Sequence, residues 1–144
     1  MKKTIIWIIL YTTLLGVMLA ACSTGENLGG TSWVMTSYRG SQGNLTEILP
    51  ETIVTAEFQA DQVSGNVTCN NYSGTYQITG NNIKIGPLAT TMRECVGPDG
   101  IMEQEAAFLT AMEAAAQYEI KSDTLEMVDD QGATILVFKR STSE

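Results

Sequence analysis

The sequence predicts an α+β protein that is mainly β, in which a curved, barrel-like antiparallel sheet wraps around one amphipathic helix. Short runs of alternating apolar side chains recur from residue 32 to residue 139, and turn-forming residues separate them. One run of helix-forming residues interrupts this pattern. A lone helix with an apolar stripe needs an apolar sheet face to cover it, so the sheet must curve.

The strands are predicted from the period-two alternation of apolar side chains. Trp33 and Met35 share one face of the first run, and Val54 and Phe58 share one face of the second. Turn residues at 80–82, 122–123 and 129–132 join later runs in the manner of antiparallel hairpins. The predicted strands cover residues 32–38, 53–58, 75–78, 83–85, 118–121, 124–127 and 133–139.

The helix is predicted over residues 101–117. Alanine, leucine, methionine and glutamate, which all favour helix, dominate this run, and a proline and a glycine before it suit a turn. Phe108, Leu109 and Met112 follow helical spacing, with Ala115 or Ala116 continuing the stripe. We therefore expect this stripe to pack against the sheet.

The first 21 residues are typical of a signal peptide. Lys2 and Lys3 precede an uncharged apolar run, which ends in small residues just before Cys22. This Leu-Ala-Ala-Cys ending resembles the lipobox of bacterial lipoproteins, in which the cysteine becomes the new N-terminus and carries lipid. An uncleaved membrane-spanning anchor is the alternative.

The resulting organisation is a signal peptide over 1–21, a flexible tether over 22–31 and one folded domain over 32–141. Acyl chains on Cys22 would hold the protein on a membrane. We expect the domain to lie outside the cytoplasm, on the cell membrane or the outer membrane.

The charge of the chain bears on its partners. Without Lys2 and Lys3, six Lys and Arg residues face 16 Asp and Glu residues. Such a chain repels phosphate groups, so nucleic acid is not an expected partner. The membrane, reached through the lipid on Cys22, and an unidentified envelope protein are the expected partners.

The two remaining cysteines, Cys69 and Cys95, have three possible roles. The chain contains no histidine, which excludes Cys-His catalysis, and two cysteines are too few for a structural zinc site. In an exported chain a disulfide is favoured, and by chain entropy it would contribute about 3–4 kcal/mol. Buried free thiols or a reactive thiol are the alternatives.

Two segments carry a resemblance to a known family. Residues 63–76, VSGNVTCNNYSGTY, resemble the Cys-Asn-x-Tyr-x-Gly-x-Tyr segment of the META domain, the family of HslJ-like heat-shock proteins. Residues 85–95, IGPLATTMREC, are similar to a second segment of that family, and the resemblance extends over about residues 31–140. Thr68 departs from the pattern, because the family often has glycine there. The matching motif residues are Gly65, Asn70, Tyr72, Gly74, Tyr76, Gly86 and Thr91.

The resemblance implies the same fold and little chemistry. The family includes bacterial envelope proteins, many of them lipoproteins, and some are associated with heat shock or with tolerance of an antibiotic such as novobiocin. No catalytic residues, metal ligands or cofactor come with its motif. We therefore expect a non-enzymatic lipoprotein for envelope stress, maintenance or protein interaction. The alternative is a binder of a small hydrophobic compound that contributes to antibiotic tolerance.

Several motif side chains allow a functional and a structural interpretation. Asn70 and Asn71 could bind a ligand, but asparagine after a strand more often caps a turn by bonding its own backbone. Tyr72 and Tyr76 could form a recognition patch, but tyrosines that cover the helix are favoured. The Arg-Glu pair at 93–94 is interpreted as surface rather than as an acid–base pair, and the Asp-Asp pair at 129–130 as a hairpin turn.

Overall fold

The computed structural model describes residues 27–142, and its body is an antiparallel barrel. Eight strands close into a ring in the order β1-β3-β4-β5-β6-β8-β9-β10, because β10 pairs back with β1. Two short strands, β2 and β7, pair at the edges with β1 and β5. The predicted fold class is confirmed. The elements are β1 Thr31–Arg39, β2 Leu45–Glu47, β3 Thr55–Gln59, β4 Gln62–Asn66, β5 Asn71–Thr79, β6 Asn82–Ile85, β7 Ala89–Thr90, α1 Ile101–Ala114, β8 Gln117–Lys121, β9 Thr124–Val128 and β10 Thr134–Arg140.

The helix is shorter than predicted. It ends at Ala114, and Ala115 already has extended backbone angles. The Ala116 N–H donates to the Val128 carbonyl at 2.9 Å, and Gln117 pairs with both β6 and β9. Strand pairing therefore overrides the helix preference of the alanines, since propensity is a weak determinant beside tertiary contacts.

The sequence pattern missed β4 and the first half of β5. In β4 only Val63 is a buried apolar residue, and Ser64 and Gly65 do not continue the alternation of apolar and polar side chains. In β5, Tyr72 is buried while Ser73 and Gly74 interrupt the pattern. These strands exist because they pair with each other and with β3, which alternation within one strand cannot show.

One face of α1 fills the barrel. Phe108 and Met112 are fully buried, as the stripe predicted, whereas Leu109 is partly buried. The Phe108 ring lies edge-on between Tyr72, at 5.2 Å between ring centroids, and Phe138, at 6.4 Å. Each such buried side chain contributes about 1.5–3 kcal/mol, so the helix is held mainly by this face.

Strand register defines two opposite ends of the barrel. Thr31 pairs with Phe58, and Phe58 pairs with Val63, which places the β3–β4 turn beside the start of β1. The bridge between Val54 and Val67 places the turn at 67–70 at the opposite end. We call the end with the β3–β4 turn the Leu28 end, because Leu28 lies just before β1. We call the opposite end the helix end, because α1 contacts the 67–70 turn.

The folded part of the chain begins before residue 32. Leu28 is fully buried, its carbonyl accepts a hydrogen bond from Thr31, and the Gly30 N–H donates to the Phe58 carbonyl at 2.7 Å. Residues 28–31, assigned to the tether by the sequence, thus pack onto the domain because Leu28 has apolar surface to bury. The signal peptide, Cys22 and the first part of the tether lie outside the described residues. Within residues 27–142, no helix has the length and apolar character needed to cross a membrane.

Candidate functional site

Asn70 is the centre of the family motif, and its side chain joins three segments. Its Nδ2 donates to both carboxylate oxygens of Glu105 on α1, at 3.0 and 3.2 Å, and to the Arg93 carbonyl at 3.3 Å. Its Oδ1 accepts from the Thr91 hydroxyl and from the Arg93 N–H, both at 2.8 Å. The amide is buried, so these contacts use its full donor and acceptor capacity within the protein.

The expectation that Asn70 caps a local turn is therefore wrong. Asn66 forms that turn instead, because its Oδ1 accepts from the Thr68 N–H at 2.7 Å. Asn71 begins β5, where it is exposed, and its N–H donates to the Thr91 hydroxyl at 3.1 Å. Thr68 has φ of 80°, a left-handed conformation that suits the glycine more usual in the family.

Cys69 and Cys95 form the predicted disulfide, with Cα atoms 5.7 Å apart. The bond lies next to Asn70 in the chain and joins the 67–70 turn to the segment before α1. Covalent and hydrogen-bonded attachments therefore hold the segment 91–95 against the helix end of the barrel.

Tyr72 and Tyr76 are core residues. The Tyr72 hydroxyl donates to the Thr55 carbonyl at 3.0 Å while its ring packs on the helix, and burial raises the pKa of Tyr72. Tyr76 instead packs edge-on against Phe58, with centroids 5.1 Å apart. Burial first, and then nearby Tyr118 and Asp61, raise the pKa of Tyr76. The prediction that these tyrosines cover the helix is right for Tyr72, whereas Tyr76 lies toward the Leu28 end.

The motif glycines permit close approach of neighbouring strands. A Cβ at Gly65 would overlap the Thr55 carbonyl, and a Cβ at Gly74 would lie 2.6 Å from the Leu88 side chain. Gly86 donates its N–H to the Thr75 carbonyl at 2.8 Å, and a Cβ at Gly86 would lie 2.9 Å from the Thr75 hydroxyl. The motif residues other than Tyr76 thus build the junction of β4, β5, the 86–95 segment and α1.

Exposed apolar side chains lie beside this junction. Met92 and Val96 are 97% and 102% exposed, and Ile53 is 61% exposed. The Thr68 hydroxyl donates to the Ile53 carbonyl at 3.0 Å. Cys69, which follows Thr68, forms the disulfide with Cys95, which precedes Val96. We call Ile53, Met92 and Val96 the apolar rim. The sequence contains no signal for the rim, because the exposure of a loop side chain depends on how the loop is attached to the rest of the fold.

Acidic side chains are concentrated at the same end. The helix-end segments 39–54, 67–70, 89–114 and 129–132 contain nine of the 14 Asp and Glu residues found in 27–142. The same segments contain two cations, Arg39 and Arg93, of the six in 27–142. The remaining described residues carry nearly equal numbers of negative and positive charges, with five carboxylates and four cations. The helix end therefore carries most of the negative charge.

The acidic turn at 129–130 is a hairpin turn, as predicted. The Asp129 Oδ1 accepts from the Gln131 N–H at 3.0 Å and from the Ala133 N–H at 2.8 Å, and its Oδ2 lies 3.6 Å from the Arg39 guanidinium. No group of three or more His, Cys, Asp or Glu side chains within 27–142 is arranged to hold a metal ion.

An open groove runs along the outer side of α1. Its volume is about 410 Å³, and it lies between the helix and the ends of β1 and β10. Its lining is mostly apolar, and Arg39 lies at its edge. Because α1 fills the barrel interior, this groove is a concave apolar space outside the core. Its lining includes Ala106, Ala107, Thr110, Ala111, Ala114 and Ile135.

The fold occurs in solved structures of low sequence identity. An NMR structure of a protein from Burkholderia xenovorans is 24% identical, covers 89% of this chain and 97% of its own, and has a TM-score of 0.67. A crystal structure of a DUF4847 family protein from Bacteroides vulgatus is 16% identical, with coverages of 83% and 98% and a TM-score of 0.58. No curated protein matches the sequence.

The family assignment rests on the whole domain. The sequence profile of the META domain matches residues 26–142, which include every described residue. The matched region includes Leu28, which is buried in the fold, although the sequence placed the domain boundary at residue 32. The chain belongs to the META domain family.

Proposed function

We propose that this META-domain protein is a lipid-anchored, non-enzymatic component of the bacterial envelope that acts by binding another protein. The observation that carries the proposal is the apolar rim. Met92 and Val96 are almost fully exposed on a segment that the disulfide and Asn70 hold in place. Exposed apolar side chains presented by a fixed loop are typical of protein contacts.

The assignment as non-enzymatic is supported by the use of the polar motif groups. Asn70, Thr91 and the Tyr72 hydroxyl all bond within the protein, and Glu105 accepts from Asn70. Each of these groups already has a structural role in joining α1, β5 and the 91–93 segment. They are therefore poorly suited to act on a substrate.

The membrane anchor is supported by the sequence before the domain. The lipobox-like ending places Cys22 six residues before Leu28, the first buried residue among those that the structure describes. Lipid on Cys22 would keep the domain close to the membrane surface, where an envelope partner is available. The association of some family members with heat shock motivates a role in envelope stress or maintenance.

Metabolic labelling and site-specific crosslinking test the proposal together. The full-length protein is expressed in bacteria with a photocrosslinking residue at Met92 or, as a control, at Gln77, which is exposed on the barrel wall. We expect palmitate label on the protein but not on a Cys22→Ser variant. We also expect a discrete crosslinked protein from position 92 that position 77 does not give.

Two outcomes would refute the proposal. One is a protein that carries no lipid and does not sediment with membranes, which removes the anchor. The other is equal crosslinking from positions 92 and 77, which removes the protein-binding role of the rim.

The groove beside α1 supports a second candidate, a binder of a small hydrophobic compound. Its apolar lining would bury such a ligand, and a ligand that binds only the folded state raises the unfolding temperature. With novobiocin as the probe, we expect the temperature to rise for the wild type but not for Ala107→Phe, which fills the groove. An unchanged wild-type temperature at millimolar novobiocin counts against this candidate.

A further inference from the structure

We propose that the apolar rim and the acidic side chains around it bind a basic, amphipathic polypeptide segment of the envelope partner. This inference rests on the proposed function, because it names the class of partner for the same surface. In this proposal the rim makes apolar contacts with the segment, and the negative charge around the rim selects a basic one.

The apolar part of the surface is held in position. Ile53 and Val96 belong to different segments, yet both are attached to the 67–70 turn, one through Thr68 and the other through the Cys69–Cys95 bond. Met92 lies between Thr91 and Arg93, which both bond to Asn70. A partner that covers these side chains therefore meets a surface that needs little ordering on binding.

The charge around the rim is negative. Glu51, Glu94 and Asp99 are exposed and lie within three residues of Ile53, Met92 or Val96 in the chain. Arg93 is the one cation among residues 91–100. An anionic partner would be repelled, whereas a segment with Lys or Arg beside apolar residues matches both parts of the surface.

The position of the anchor leaves this end accessible. Leu28 follows Cys22 by six positions, which span at most about 20 Å, so lipid on Cys22 keeps the Leu28 end beside the membrane. The rim lies at the opposite end of the barrel, as the register of β1, β3 and β4 places it. Anionic headgroups also repel the acidic helix end, which favours the same orientation.

The test uses a synthetic 14-residue Lys/Leu peptide that forms an amphipathic helix. The full-length lipidated protein is held in phosphatidylcholine nanodiscs, and the binding of labelled peptide is measured by anisotropy against empty nanodiscs. A Lys/Ser peptide of equal charge serves as the probe without apolar residues. The variants are Met92→Ser with Val96→Ser, and Glu94→Gln with Asp99→Asn. The matched control at the Leu28 end is Glu57→Gln with Asp61→Asn, which removes the same number of charges.

We expect the Lys/Leu peptide to bind the wild type, and the Met92/Val96 variant to raise Kd by about tenfold. The Glu94/Asp99 variant should raise Kd by about threefold at low salt, a difference that shrinks at 0.5 M salt because salt screens exposed charges. The Glu57/Asp61 control should bind like the wild type, and the Lys/Ser peptide should bind about tenfold more weakly.

The inference is overturned if the Lys/Leu peptide does not bind, if the Met92/Val96 variant binds it as the wild type does, or if the Glu57/Asp61 control weakens binding equally. Equal binding of the Lys/Ser peptide also overturns it, since general attraction to acidic protein would then be enough. If position 92 still crosslinks a protein in the envelope while the peptide fails, the partner class is wrong and the proposed function stands. If both fail, the proposed function itself fails.

Discussion

Replacing Asn70 by alanine is the perturbation whose effect follows most directly from the structure. The change removes the donor that faces both oxygens of the Glu105 carboxylate, and that side chain is only 6% exposed. A hydrogen bond to a charged group contributes about 1.5–3 kcal/mol, and leaving such a group buried without a partner adds to the loss. The contacts to Thr91 and Arg93 count for less, because that segment is exposed and water can replace them. We expect Asn70→Ala to lower the free energy of unfolding by about 3–4 kcal/mol, a large part of the about 5–15 kcal/mol of a typical domain.

The assay is urea unfolding of the oxidised protein, followed by circular dichroism. Asn71→Ala is the matched control, because Asn71 is the same residue type one position later but is exposed; we expect a loss below about 1 kcal/mol. A double-mutant cycle with Glu105→Gln isolates the Asn70–Glu105 interaction. If Asn70→Ala and Asn71→Ala lower stability equally, or if the cycle gives no coupling, the central role assigned to Asn70 is refuted.

Three further predictions concern the other parts of the junction. Replacing Cys69 and Cys95 together by serine should lower the free energy of unfolding by about 3–4 kcal/mol, because the unfolded chain loses a loop constraint. Urea unfolding of both proteins without reductant measures the difference. A loss below about 1 kcal/mol would contradict this prediction. Gly65→Ala should cost about 2 kcal/mol or more in the same assay, because the new Cβ meets the Thr55 carbonyl and the strands must separate; a neutral effect would show that the backbone adapts freely. Burial raises the pKa of Tyr72, so the folded state keeps a proton that the unfolded state releases above about pH 10. The contribution of this group to the free energy of unfolding is therefore fully present below that pH, and it falls above it by about 1.4 kcal/mol per pH unit. Tyr72→Phe should reduce the slope of the free energy of unfolding against pH between about pH 10 and 11. An unchanged slope would contradict the assignment.

The junction also shows that the family motif residues have structural roles. Tyr72 packs on Phe108 and bonds the Thr55 carbonyl, and Gly74 leaves room for Leu88. These contacts join hairpin, loop and helix, which are distant in the sequence. Residues that recur in a family motif can therefore serve the fold.

Much of the fold could be predicted because the signals are local. Alternation placed Trp33 and Met35 on one face of the first run and Val54 and Phe58 on one face of the second, and all four are buried in the barrel. Helical spacing predicted the burial of Phe108 and Met112 in the same way. The sequence favoured a disulfide between Cys69 and Cys95 over free thiols, because it contains no histidine and the chain was expected to be exported.

The misses occurred where distant contacts outweigh local preference. Ala115 and Ala116 leave the helix because β9 provides a partner for the backbone, and Leu28 joins the core because the barrel end offers an apolar site. Asn70 has the sequence context of a turn, yet its amide bonds a helix 35 residues away. In each case the competing partner belongs to another part of the chain.

The sequence by itself determined the class of fold, the faces of the strands and helix and membership of the META domain family, and it favoured a disulfide between Cys69 and Cys95. Each depends on residue types and on their spacing along the chain. Only the tertiary structure decided that Asn70 joins Glu105 to the 91–93 segment, and that Met92 and Val96 are exposed at the acidic end opposite Leu28. The physical reason is that burial, exposure and local charge depend on which segments the barrel closure brings together, and strand alternation contains no information about those distances.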